Sequence, residues 1–90
     1  MRSTKGRRAY PDADGDLWLK DCEYGYDTKN SRWLIRPPGM HHGNLSNHEV
    51  TEHEDGTITV RPSILIEYPL QSGEKKRWHG YLERGVWREV

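Results

Sequence analysis

The chain has 90 residues, enough for one small domain, and its 14 basic and 14 acidic residues leave no net charge. A neutral chain has no broad positive field, which argues against nucleic acid as a partner. Hydrophobic residues make up 32% of the chain and charged residues 31%, so the core must be thin and must rely on four Trp and five Tyr. A core this small favours a homo-oligomer.

The cysteine count and the hydropathy limit the setting further. Cys22 is the single cysteine, which excludes an internal disulfide and a zinc site built on a cysteine pair. No apolar stretch is long enough for a signal peptide or a membrane span. We therefore expect a cytoplasmic protein that has no membrane partner.

The first half of the chain contains two strand candidates between turn-rich segments. Residues 1–11 are basic and have no periodicity, which predicts a mobile tail ahead of a single β domain at residues 12–90. The strand candidates are residues 16–20 and 32–36, and the second ends at a Pro-Pro-Gly segment.

The second half alternates more regularly. Apolar residues occupy the even positions of residues 58–70, which predicts an extended chain with one buried face, interrupted near Pro62 by a bulge or a change of sheet. Residues 54–56 predict a three-residue hairpin loop that sets Val50 opposite Val60. The predicted buried residues are Ile58, Val60, Ile64, Ile66, Trp78 and Leu82.

The last hairpin is predicted from a second Gly-closed loop, at residues 83–85. A three-residue loop there places Trp78 and Leu82 on the core face and pairs Tyr81 with Trp87 on the opposite face. The other pairs of this register are Leu82–Val86, Trp78–Val90 and His79–Glu89.

The fold class follows from these elements. No run keeps a helical period for more than two turns. We therefore predict an all-β fold: a small single-domain antiparallel sheet, sandwich or partly open barrel of five to seven short strands.

Histidines are frequent in the middle of the chain. Four of them fall within thirteen positions, which raises the hypothesis of a metal site in a metal-dependent hydrolase. Their spacing matches no zinc signature, and adjacent histidines in a Gly-rich loop are typically solvated, so we predict neither a metal nor a cofactor. The candidate ligands are His41, His42, His48, His53 and His79, with Glu49, Glu52 or Glu89.

An acidic segment resembles a calcium loop in its spacing. Asp12, Asp14, Asp16 and Glu23 stand at positions 1, 3, 5 and 12 of such a loop. Leu17 stands where the loop needs a Gly, and no helix flanks the segment. A polar turn before a strand is the favoured interpretation.

No catalytic motif is present in the sequence. There is no nucleophile elbow and no phosphate-binding Gly loop. The thiol of Cys22 lies between Asp21 and Glu23, whose negative charge opposes its ionisation. We therefore predict that the protein is not an enzyme.

Arginines beside aromatic rings form the most distinctive pattern. Guanidinium groups bind phosphates and carboxylates, and rings stack on bases, so the pattern predicts a site for a nucleotide-like anion. The same residue types are enriched at protein interfaces, and they also occur as solvated arginines over surface rings. The predicted ligand-binding residues are Trp33, Arg36, His41, His42, Arg61, Arg77, His79, Tyr81 and Trp87.

Residues 55–64 and 78–87 together resemble a family of short uncharacterised proteins that are frequent in phages and prophages of actinobacteria. The resemblance spans residues 55–87 and rests on a Pro-Ser-Ile strand and a closing His-Gly-aromatic hairpin. Many relatives carry cysteine pairs suggestive of zinc, whereas here Trp78 stands where some relatives have Cys. The resemblance implies a phage setting but no activity.

Small phage proteins of this kind often bind and disable a component of the host. We therefore expect a non-enzymatic phage accessory protein in the host cytoplasm that sequesters a nucleotide-like immune signal as counter-defence. The alternative is a protein–protein inhibitor of a host or defence protein.

Overall fold

The computed structural model describes residues 2–90, which form nine strands and no helix, and therefore no helix that could cross a membrane. A five-stranded antiparallel sheet has the order β1-β9-β8-β7-β6, and a four-stranded mixed sheet has the order β2-β3-β4-β5. The strands are β1 (Arg2–Lys5), β2 (Arg7–Arg8), β3 (Glu23–Asp27), β4 (Arg32–Ile35), β5 (Gly43–Asn44), β6 (Glu49–Glu52), β7 (Ile58–Pro69), β8 (Lys75–Glu83) and β9 (Val86–Glu89).

The predicted all-β class is confirmed. The strands number more than the five to seven expected, because the short β1, β2 and β5 carry no alternating pattern in the sequence. Residues 16–20, predicted as a strand, are irregular instead.

The core lies between the two sheets. The five-stranded sheet contributes the even-numbered residues of β7 and β8, as the alternation predicts, although Ile66 is only half-buried. The buried residues of the core are Tyr24, Ile35, Met40, Leu45, Ile58, Val60, Ile64, Trp78, Leu82 and Trp87.

The β6–β7 hairpin has the predicted loop and register. Val50 lies opposite Val60, and the amide of His53 donates to the carbonyl of Thr57 across the three-residue loop at a distance of 2.8 Å. The glycine that ends the loop, Gly56, donates back to His53. Here the local loop chemistry and the alternation predict the same register, and the prediction is confirmed.

The predicted irregularity near Pro62 is a β-bulge. Residues 61–63 of β7 oppose the single residue Tyr81 of β8, and the peptide bond before Pro62 is cis. The prolyl nitrogen cannot donate to a neighbouring strand, and the β6–β7 pairing ends at Arg61, so the bulge begins where no partner needs that donor. The flanking regular pairs are Val60–Leu82 and Ile64–Gly80.

The closing β8–β9 hairpin differs by one residue from the predicted register. Its loop has two residues, Arg84 and Gly85, with φ angles of 44° and 77°, as in the type I′ turns that match the twist of paired strands. A Cβ atom on Gly85 would lie 2.6 Å from the hydroxyl of Tyr24, so packing against β3 requires glycine here. Leu82 therefore pairs with Trp87.

Part of the segment predicted as a mobile tail, residues 2–5 and 7–8, forms two short strands. β1 pairs with β9 in the five-stranded sheet, and β2 pairs with β3 in the other sheet. The chain changes sheets at Gly6, where a Cβ would lie 2.7 Å from Nε1 of Trp87. Backbone pairing does not require alternating side chains, so the basic composition gave no sign of these strands.

Arg8 anchors the N-terminal segment. Its guanidinium carbon lies 4.8 Å from the ring centre of Trp33 and 4.9 Å from that of Tyr10. Nη1 donates to the carbonyl of Gly56 at 2.9 Å and to the carboxylate of Glu52 at 3.0 Å. The side chain is mostly buried, so the arginine connects the four-stranded sheet to the β6–β7 loop.

We expect deletion of residues 1–8 to destabilise the protein, because it removes both short strands and the contacts of Arg8. The loss should be at least about 2 kcal/mol, or roughly 8–16 °C in Tm for a domain of this size, measured by thermal unfolding. Lys5→Gln, which keeps the strand and removes an exposed charge, should change the free energy of unfolding by less than about 0.5 kcal/mol. An unchanged Tm after the deletion would restore the mobile-tail interpretation.

The buried face of β7 can be tested at two adjacent residues. Ile64 is buried and Leu65 is exposed on the opposite face. Ile64→Ala should therefore cost about 2–5 kcal/mol in urea unfolding, whereas Leu65→Ala should stay within about 0.5 kcal/mol. Equal costs at the two positions would show that the assignment of faces is wrong.

Candidate functional site

One face of the five-stranded sheet is uncovered, and we call it the outer face. Opposed residues of antiparallel strands share a face, and the side chains here alternate with those of the buried core. The outer-face pairs are Leu65–His79, Glu67–Arg77, Tyr81–Arg88 and Glu83–Val86, and the C-terminal Val90 donates its amide to the carbonyl of His79.

Apolar side chains are exposed near the middle of the outer face. Leu65 is 53% exposed, Tyr81 is 40% exposed and Val90 is 67% exposed. Leu65 and Val90 flank His79, and Tyr81 follows two residues later on the same strand. Exposed apolar groups that adjoin one another with a polar border are typical of surfaces that bind a partner.

A cleft opens beside this strip at the β-bulge, and we call it the bulge cleft. It has a volume of about 610 Å³ and exists because three residues of β7 loop out against one residue of β8. Its lining residues are Asn47, Glu49, Thr59, Val60, Arg61, Pro62, Ser63, Tyr81 and Glu83.

Two histidines form hydrogen bonds with Ser63 in the bulge. Nε2 of His79 lies 3.1 Å from Oγ of Ser63, and Nε2 of His48 lies 3.0 Å from the carbonyl oxygen of Ser63. A carbonyl oxygen can only accept, so Nε2 of His48 carries a proton. The first bond joins β7 to β8, and the second joins β7 to the segment that precedes β6.

The contact between Ser63 and His79 does not by itself form a nucleophilic centre. An activated serine needs a base that a third group orients. Within the side chains described for residues 3–90, the His79 ring has Ser63 as its one hydrogen-bond partner. The geometry therefore supports a positioning role for His79.

The charged groups of the bulge cleft are free. The described side chains, those of residues 3–90, form five ion pairs, and none of these involves Glu49, Arg61 or Glu83. One guanidinium faces two carboxylates, so the lining of the cleft is negative by one charge. Such a lining repels phosphates and attracts cations.

The predicted ligand-binding set is only partly brought together. Arg61 and Tyr81 line the bulge cleft, His79 adjoins it through Ser63, and Arg77 lies two residues further along the outer face. The remaining members lie elsewhere in the fold: Trp33, Arg36, His41, His42 and Trp87.

The assignment of Trp87 to the binding face is wrong. Its side chain is 1% exposed, because the two-residue loop turns it toward the core. The ring meets Trp78 and Tyr24 edge-on, at centroid distances of 5.6 and 6.3 Å. Its Nε1 donates to the carbonyl of Cys22 at 2.9 Å. This indole therefore joins the sheets and is not accessible to a ligand.

Arg36 and Trp33 also have structural contacts. Nε of Arg36 donates to the carbonyl of Met40 at 3.0 Å, and Nη1 donates to the carbonyl of Leu19 at 2.9 Å. The ring of Trp33 packs edge-on against Tyr26 at 5.2 Å and also carries the guanidinium of Arg8. Arg36 therefore holds two loops against the four-stranded sheet, whereas Trp33 packs against side chains of that sheet.

The histidines of residues 41–53 do not converge. His41 stacks on Tyr68 with ring centres 4.6 Å apart, and His42 lines a separate cleft beside Trp18. Nε2 of His53 lies 2.7 Å from the hydroxyl of Thr59. These three histidines therefore face different neighbours in the structure.

The acidic turn brings three carboxylates together. Ligand-type atoms of Asp12, Asp14 and Asp16 lie within 4.8 Å of one another. Oδ1 of Asp12 accepts the amides of Asp14 and Asp16, and the bond from Asp16 is the main cause that lowers the pKa of Asp12. The fourth residue of the calcium spacing, Glu23, instead binds Arg7 and the amide of Lys20.

Cys22 and Trp18 are a reactive and an exposed side chain outside the bulge cleft. Burial raises the pKa of the Cys22 thiol, and a hydrogen bond to Asp21 acts in the same direction. Trp18 is 75% exposed, which the sequence analysis missed by assigning it to a strand. Trp18 lies in an acidic segment without alternating apolar residues, and this feature of the sequence could have indicated that its side chain is exposed.

The comparisons with known proteins found no family model, no curated protein and no solved structure that matches this chain.

The two tryptophans at positions 87 and 18 provide a matched test of the site assignment. Trp87→Ala should destabilise the protein by about 3–5 kcal/mol, because it removes a buried ring from between the sheets. Trp18→Ala should change the stability by less than about 0.5 kcal/mol. Urea unfolding measures both, and a Trp87→Ala variant of native stability would contradict the burial of this ring.

Proposed function

We propose that the protein acts by binding another protein through the outer face of its five-stranded sheet. The observation that carries this proposal is the exposed strip of Leu65, Tyr81 and Val90, bordered by Arg77 and Arg88. An aromatic and aliphatic centre with arginines at its border is the composition typical of protein interfaces. The opposite face of the sheet is committed to the core, so the outer face is the one free to bind.

The geometry favours a protein partner over a nucleotide-like signal. A nucleotide site requires rings and cations that converge on one pocket. Trp87 and Arg36 serve the fold, and the bulge cleft bears two carboxylates and one guanidinium. This supports the inhibitor of a host or defence protein, which the sequence analysis treats as the alternative.

The resemblance of residues 55–87 supports the setting of this proposal. A phage accessory protein in the host cytoplasm would disable its target by occupying a surface of that target, without catalysis. The Ser63–His79 contact, which lacks a third orienting group among the described residues, agrees with a binding role.

The test is to produce the tagged protein in phage-infected host cells and to identify what co-purifies by native mass spectrometry. We expect a protein partner with the wild-type chain. A Leu65→Ser/Tyr81→Ala double variant should lose at least about 90% of it, since removing an aromatic and an aliphatic contact of an interface typically costs more than 1 kcal/mol.

Trp18→Ala is the matched control, because it removes an exposed aromatic ring that is not on the outer face. It should retain the partner, and all variants should keep the Tm of the wild type within a few degrees. Loss of the partner with Trp18→Ala alone would place the interface elsewhere. A nucleotide-sized adduct, a dimer without other protein or an unliganded monomer would each contradict a protein partner.

A further inference from the structure

We infer that the bulge cleft receives a lysine or arginine side chain of the partner protein. This inference rests on the proposed function, because it names the chemistry that the partner must present to the outer face. The cleft adjoins the exposed strip through Tyr81, which belongs to both. A partner that covers the strip would therefore also reach the cleft.

The first argument is charge. Glu49 and Glu83 line the cleft and take part in none of the ion pairs among the described residues. Arg61 offsets one of the two carboxylates, which leaves room for one incoming positive charge. The net negative lining would repel an anionic ligand, whereas a cation would neutralise it.

The second argument is the shape and polarity of the walls. Lysine and arginine present an apolar stem that ends in a charged head. Pro62 is exposed and can contact the stem, and the ring of Tyr81, which is 40% exposed, can contact the cation. The amide of Asn47 provides polar atoms at the wall, whereas the hydroxyl of Thr59 already bonds His53 and the amide of Arg84. At about 610 Å³, the cleft is large enough for one such side chain with part of its backbone.

The test uses small probes and does not require the partner to be known. N-acetyl-lysine amide and N-acetyl-arginine amide are titrated into the ¹⁵N-labelled protein while amide chemical shifts are recorded. N-acetyl-norleucine amide is the neutral control, and AMP is the anionic one. We expect the two cationic probes to shift the amides of Glu49, Tyr81 and Glu83, with weaker shifts from norleucine and none from AMP.

A variant pair assigns the effect to the carboxylates. Glu49→Gln/Glu83→Gln should weaken binding of the cationic probes by about three- to tenfold, as expected for two exposed ion pairs. Glu67→Gln is the matched control, because Glu67 is on the outer face but already pairs with Lys75. Equal shifts from the norleucine probe, stronger shifts from AMP, or an unchanged affinity of the double glutamate variant would each overturn the inference.

The same variants separate this inference from the proposed function. If Leu65→Ser/Tyr81→Ala loses the co-purifying protein while Glu49→Gln/Glu83→Gln keeps it, the outer face binds a protein but the cleft does not receive its cation. If both variants keep the protein, both proposals fail. If both lose it while Glu67→Gln keeps it, both are supported.

Discussion

The burial of Trp87 is the constraint on which both the core and the candidate site depend. Its ring packs against Trp78 of its own sheet and Tyr24 of the other, and its Nε1 donates to the carbonyl of Cys22. The chain passes so close to this nitrogen at Gly6 that a Cβ there would lie 2.7 Å from it. One side chain thus ties together β9, β3 and the crossing between the two sheets. Because Trp87 faces inward, its neighbour Arg88 must face outward beside Tyr81, and the outer face follows.

The sequence predicts the fold where local chemistry and alternation agree, and fails where tertiary contacts select between local options. The loops at residues 54–56 and 83–85 look alike, since each has an acidic residue first and glycine last. The first has three residues, as predicted. In the second, Gly85 packs under the hydroxyl of Tyr24, a contact between sheets that no local pattern reveals, and the loop shortens to two residues. That one-residue difference moves Trp87 from the binding face to the core.

The candidate site was predictable only in part for the same reason. Arg61, His79 and Tyr81 follow from their residue types and positions on predicted strands. The cleft between them depends on a bulge that places three residues opposite one. Its two carboxylates belong to different strands, so they can be assigned to the cleft only after the pairing of those strands is known. The N-terminal strands were missed because backbone pairing leaves no trace in a basic, non-alternating sequence. The sequence predicts a mobile tail over residues 1–11, whereas two aromatic rings and a backbone carbonyl contact the guanidinium of Arg8.

The most direct test of the central claim is the register of the last hairpin, read from Hα–Hα nuclear Overhauser effects. The amide of Val90 donates to the carbonyl of His79, so hydrogen-bonded and non-hydrogen-bonded pairs alternate from that point. Leu82 and Trp87 then form a non-hydrogen-bonded pair, whose Hα atoms are the closest across the ladder. We expect a strong Hα–Hα effect between Leu82 and Trp87. A pairing of Tyr81 with Trp87 would contradict the buried indole and, with it, the outer face proposed to bind the partner.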